Sequence, residues 1–145
     1  MASLSQKLRN ILGRLSMLIT VQPSQDPLPR RNEKKLLDAR IVRNRLKVFA
    51  TRQNAQATLA QYDEGISLVD YFWGFVDGKP IQNAWKTMAD LPAETPLSRN
   101  ISKDMKKRGF SFVCPTIIYA HMQATGMVND HLVTCPRHQE CAAMA

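Results

Sequence analysis

An all-α protein is the fold class that these 145 residues predict. Apolar side chains recur at helical spacing in several stretches, and capping residues bracket those stretches. No stretch alternates apolar and polar residues as a half-buried strand does. The length suits one modest domain and is short for two.

Residues 2–20, ASLSQKLRNILGRLSMLIT, place apolar side chains at 4, 8, 11, 12, 15, 18 and 19, with Lys and Arg on the other face. That is the pattern of an amphipathic helix. The next stretch, QPSQDPLPRRN, holds three prolines, each of which fixes φ and removes a donor, so it reads as a break or linker. From Glu33 the helical period resumes. It predicts a short helix, a turn at Ala39 and Arg40, and a longer helix to about Tyr62, stopped by the DEG that follows. Ser67 is placed to cap a short, aromatic-rich helix over SLVDYFWGFV. DGKP makes a turn, and residues 83–97, with Pro92 and Pro96, are irregular. Ser98 is the expected N-cap and Gly109 the C-cap of a helix over LSRNISKDMKKRGF, and Pro115 opens and Gly126 closes another over PTIIYAHMQATG. Tyr71, Phe72, Trp73, Tyr119 and Met122 sit at helical spacing, which is more often core than a stacking platform.

There is no run of about 18 apolar residues, so no helix is expected to span a membrane. The short patch LSMLITV lacks the small-residue cleavage site of a signal peptide. These features imply a cytoplasmic protein. Its three cysteines (114, 135 and 141) are an odd number, and in a reducing compartment they are thiols or metal ligands.

The net charge is +8, and all of it lies in the first third. Residues 1–50 hold eleven Lys and Arg against three Asp and Glu, whereas residues 51–145 hold nine of each. A localised basic stripe suits a polyanion, although a solvated basic face is an equally good reading of charge alone.

One spacing carries chemistry by itself. GMVNDHLVTC sets His131 and Cys135 four residues apart just after an apolar run, which is half of a tetrahedral metal site. No Cys or His precedes Cys114.

Three segments, ARIVRNRLKVFATRQNA, LVDYFWGFVDGKP and SKDMKKRGFSFVCPTIIYAHMQATGMVNDHLVTC, resemble in order and spacing the C-terminal portion of the DNA-3-methyladenine glycosylase I family. The resemblance covers residues 35–138. It divides the chain into an atypical basic segment with a Pro-rich linker (1–34), the matching portion (35–138) and a tail (139–145). It implies a helix-hairpin-helix glycosylase fold, here truncated, with double-stranded DNA as partner and no membrane or obligate protein partner. It also implies base-excision repair: an alkylated adenine is flipped out of the duplex, as its glycosidic bond is inaccessible in the stack, and that bond is hydrolysed.

The resemblance further implies one structural zinc. His131 and Cys135 would be two of its ligands, and the family takes the other pair from an N-terminal segment not matched here. His138 and Cys141 lie close by as improvised donors, and Asp130 is expected to support the ligand turn from behind. The family's catalytic Glu and most of its aromatic pocket precede an Ala-Gly-Leu-Ser-Trp motif, of which Ala2 to Gln6 is at most a faint echo. No residue here is therefore assigned the catalytic role. The N-terminal catalytic half reads as missing or replaced, and excision by this chain as impaired or absent. A non-catalytic DNA-binding remnant and a partly folded truncated product are the alternatives. A membrane-surface role for residues 2–20 is a lesser rival.

DNA contact is the property expected to persist. The hairpin region is DARIVRNRLK, with Arg40 where the family prefers Gly. Arg43, Arg45 and Lys47 are placed to reach phosphates, and Lys106, Lys107 and Arg108 form a second basic cluster.

Overall fold

The structure is a computed structural model that describes residues 37–40 and 44–144. The expected amphipathic segment, the Pro-rich linker, the short helix from Glu33 and Arg43 lie outside the described residues.

Five helices and one pair of short strands make up the described chain. Helix α1 (Arg45–Asp63) starts where the Asn44 side chain accepts from the Lys47 N–H at 3.1 Å, satisfying one of the orphan donors of the first turn. Its buried residues, Ala50, Ala57 and Gln61, fall on one face, and Ala57 joins the core there. Helix α2 (Leu68–Gly74) is capped by Ser67, as expected, through the Asp70 N–H at 3.0 Å. A turn through Asp77 and Gly78 leads to β1 (Ile81–Gln82).

Helix α3 (Pro96–Lys107) begins three residues earlier than the sequence suggested. Thr95, not Ser98, is the N-cap. The Thr95 hydroxyl accepts from Ser98 N–H at 3.1 Å and the Ser98 hydroxyl accepts from Thr95 N–H at 2.9 Å, a reciprocal capping box with Pro96 at the first helical position. At the other end Gly109 has φ +88°, the left-handed residue that closes a helix. Helix α4 (Pro115–Ala124) ends before Gly126, also left-handed at φ +75°.

Strand β2 (Val128–Asn129) follows and pairs with β1 in parallel, Ile81 opposite Val128 and Gln82 opposite Asn129. The protein is thus mostly helical with a small parallel pair, and not strictly all-α. Two residues are too few for an alternating pattern to show in sequence. The pair exists because α3 and α4 form the crossover that brings the strands side by side. The stretch assigned to a tail also contains structure, since Pro136–Ala142 forms helix α5.

The core is built from α2, α3, α4 and the loop between the last two. Ile101, Met105, Phe110, Val113, Ile118, Tyr119, Met122 and Met127 are buried together with Tyr71 and Trp73. The aromatics of α2 and α4 are therefore core, as their spacing predicted. His121 lies tilted against the Phe72 ring at 4.6 Å. Burial holds its imidazole below the usual pKa, so it is a packed, neutral side chain. Among the described residues no helix is long and apolar enough to cross a membrane.

Candidate functional site

The loop that follows one basic cluster is tied to the helix that the other cluster opens. Gln53 on α1 donates from Nε2 to the Gly109 carbonyl at 2.7 Å. One residue on, Asn54 clasps Ser111: the Ser111 N–H donates to Asn54 Oδ1 at 2.8 Å, and Asn54 Nδ2 donates to the Ser111 carbonyl at 3.0 Å. These bonds hold the loop after Lys106, Lys107 and Arg108 against the helix that starts with Arg45 and Lys47. The loop after the second cluster is thus fixed on the helix that the first cluster opens.

The cations of the two clusters are not equivalent. Lys47, Lys106 and Lys107 are exposed, and the two lysines of α3 sit in its last turn, where the helix dipole favours positive charge. Arg45 lies over the Phe49 ring with its guanidinium carbon 4.9 Å from the centroid. Arg40 is held by its own neighbour. Its Nε and Nη2 meet the two Asp38 oxygens at 3.0 and 2.8 Å, and Asp38 also accepts from the Arg40 N–H. These bonds lower the Asp38 pKa and neutralise the turn locally.

Arg108 is the most engaged. It donates to Asp104 at 2.9 Å, lies 3.7 Å from Glu64, and covers the Tyr71 ring at 5.1 Å. The Tyr71 hydroxyl donates to the same Asp104 at 2.8 Å. The Arg108 hydrogen bond is the main cause of the lowered Asp104 pKa, and burial followed by Asp104 raises that of Tyr71. Arg108 therefore ties α1, α2 and α3 together as much as it offers charge to solvent.

A cleft of about 580 Å³ opens on the opposite chemistry. Trp73, Met88, Leu91 and Val128 give it an apolar lining, and His131, Cys135 and Cys141 border it. The turn joining His131 to Cys135 is closed by the Cys135 N–H donating to the Leu132 carbonyl at 2.8 Å. His131 is exposed and Cys135 half-buried.

His138 is committed elsewhere. Its Nε2 lies 2.7 Å from the Asn83 carbonyl, and because a carbonyl only accepts, that nitrogen carries the proton. Among the described residues no group of three or more His, Cys, Asp and Glu could hold a metal ion. A closed zinc centre needs four donors, so the described residues do not complete one around His131 and Cys135.

Asp130 is the hub beneath that turn. Its Oδ1 accepts from Asn83 Nδ2 and Trp85 Nε1, both at 2.7 Å, and its Oδ2 from Gln123 Nε2 at 2.8 Å. Burial raises its pKa, but the donors that converge on it, Trp85, Asn83 and Gln123 among them, outweigh burial and hold the carboxylate ionised below the ordinary range. These partners lie after β1 and on α4, and none of the three bonds goes to His131 or Cys135, the expected ligands of the turn. Sequence reasoning missed Gln53 and Asn54, for which a polar pair inside an alanine-rich helix was the only available signal.

Residues 28–138 match the family model of methyladenine glycosylase. DNA-3-methyladenine glycosylase 1 of Escherichia coli K12 is 44% identical over 103 residues, which cover 71% of this chain and 55% of that protein. DNA-3-methyladenine glycosylase of Haemophilus influenzae Rd is 43% identical over 96 residues, 66% of this chain and 52% of that one. This chain thus spans about half the length of these curated relatives. A crystal structure of a 3-methyladenine DNA glycosylase I is similar with a TM-score of 0.73 and 35% identity, covering 91% of this chain and 73% of the other.

Proposed function

This chain belongs to the methyladenine glycosylase family, and from that premise we propose that it works in base-excision repair, gripping double-stranded DNA in which the N-glycosidic bond of an alkylated adenine is hydrolysed. The observation that most supports the grip is the clasp of Asn54 on Ser111, which ties the loop after Lys106 and Lys107 to α1, the helix that Arg45 and Lys47 open. A turn at 38–40 followed by α1 would serve as the helix-hairpin-helix element, whose backbone N–H groups take phosphate without side-chain chemistry. A cytoplasmic location belongs to the same reading. His131 and Cys135 would be this chain's contribution to a structural zinc centre.

A second reading, duplex binding without excision by this chain alone, is favoured by the state of its carboxylates. Asp130, which borders the large cleft, is saturated with donors, and Asp104 is tied to Arg108 and Tyr71. Neither stands free to act on a glycosidic bond, so excision would draw its carboxylate from elsewhere.

The test is incubation of the folded chain with methylated duplex DNA, with free 3-methyladenine read by chromatography and a family member of full length as control. Binding accompanied by release supports the first reading, and binding without release supports the second. Absence of duplex binding at low salt would overturn both.

A further inference from the structure

Helix α1 has a second face that the core does not use. Ala50 and Ala57 are buried on one side. On the opposite side Arg45, Val48, Arg52, Ala55, Leu59 and Tyr62 follow one another at alternating spacings of three and four residues, the repeat of a helix seam. None of the apolar residues of this stripe joins the core cluster or packs against it among the described residues. Leu59 and Tyr62 are 48% and 37% exposed. Arg52 keeps its Nε out of water without a hydrogen-bond partner. A helix already packed on one side and carrying such a stripe on the other is shaped to receive a second helix.

The charges of α1 say which helix. They stand at the wrong ends for its own dipole, since a helix start favours anions and a helix end favours cations. Arg45 and Lys47 occupy the first turn, where no acidic residue lies, and Asp63 and the capping Glu64 close the helix, whose last turn has no basic residue. Arg108 approaches Glu64 at 3.7 Å, but Asp63 has no ion pair among the described residues.

We propose that α1 is a self-docking helix, through which two copies of this chain pair antiparallel. In that order the stripe sets Arg45 against Tyr62 of the second copy, Val48 against its Leu59 and Arg52 against its Ala55, and the twofold axis repeats each pair. A guanidinium then lies on a phenol ring at both ends, apolar side chains meet inside them, and a small residue leaves room for Arg52. Asp63 comes beside Arg45 of the second copy, so the helix start gains the anion that it lacks. A parallel pair would instead set Arg45 on Arg45 and Arg52 on Arg52, like charges in one seam. The pairing does not rest on duplex binding. A seam of one helix about 28 Å long is smaller than a standard interface, so a weak dimer is expected, with Kd of roughly 10–100 µM.

The experiment is sedimentation equilibrium of the full chain without DNA, from well below to well above that range. The unaltered chain is expected to pass from monomer to dimer and no further. Leu59→Lys, at an exposed position, should keep the helical circular dichroism and weaken association by about tenfold or more, because it seats an ammonium against Val48. Arg45→Glu should weaken it as well. The double variant Arg45→Glu with Asp63→Lys should recover it, since these two residues lie at opposite ends of α1 and meet only across two copies. A chain that stays monomeric throughout would overturn the proposal, and a monomeric Leu59→Lys of lowered thermal midpoint would then assign the stripe to another segment of the same chain. Association unchanged by both Leu59→Lys and Arg45→Glu would place the dimer on another face and overturn it too.

Discussion

Asn54 and Ser111, 57 residues apart, pair as two strands would, with one side-chain amide taking the place of a backbone. The Asn54 carbonyl oxygen receives the Ser111 N–H, and its amide donates to the Ser111 C=O. Replacing Asn54 by Ala leaves both backbone groups of a part-buried loop without these partners. The expected cost is about 1–3 kcal/mol in urea denaturation. Loss of duplex affinity should exceed what the unfolded fraction explains, because the two basic segments are no longer clasped. An Asn54→Ala chain of unchanged stability would show that water satisfies these groups and that the loop is held by Phe110 and Val113 alone.

Asp130 makes a prediction in pH. Its folded pKa is lowered, so the stabilisation it brings is present above the ordinary Asp value of about 3.9 and is lost as pH falls through the lower, folded value. Asp130→Asn swaps an acceptor for an NH₂ group that must face donors from Asn83, Trp85 or Gln123. The variant should be less stable at pH 7 by about 1–3 kcal/mol. The gap should narrow as pH falls below about 4, where the unfolded chain takes up a proton at this Asp while the folded side chain is still ionised. A gap constant from pH 7 to pH 3 would mean that shape, not charge, is what the hub requires.

The helix ends were legible because their chemistry is local. Gly109 and Gly126 stand where a side chain would be strained, and Ser67 precedes its helix by one residue. The α3 start was misplaced by three residues because Pro96 was read as a breaker, whereas a proline at the first helical position is a start signal. Helix α5 was missed because it has no buried residue and so no apolar period to read. The basic clusters could be read one at a time. The tie between the elements that carry them could not, since the residues that make it are 56 and 57 positions apart and carry no mark of partnership. Asp130 was legible only as a brace, and the carboxamide and indole that converge on it come from the irregular stretch after β1.

The metal prediction follows from counting donors. With His131 and Cys135 as two and no third among the described residues, zinc should bind this chain weakly and should not hold its fold together. EDTA is expected to leave the helical circular dichroism and the thermal midpoint unchanged. Added zinc should bind with low affinity, abolished in Cys135→Ser. A midpoint that falls by several degrees on chelation would establish that further donors complete the site.

Arg108 and Lys107 are neighbours with opposite expected roles. Arg108 bonds Asp104, approaches Glu64 and covers Tyr71, whereas Lys107 is exposed at the helix end. Arg108→Ala removes a partner from Asp104 and uncovers an aromatic face, so it should lower stability by about 1 kcal/mol, a figure kept small by the exposure of the pair. Its effect on the salt dependence of duplex binding should be slight, because its charge is already spent within the protein. Lys107→Ala should do the reverse, leaving stability unchanged and reducing the slope of log affinity against log salt by about 0.9, the share of one phosphate contact. Measuring both variants by urea denaturation and by binding at four salt concentrations separates the roles. If Arg108→Ala changes the slope as much as Lys107→Ala does, Arg108 leaves Asp104 for phosphate when DNA arrives, and the contact among α1, α2 and α3 is then broken on binding.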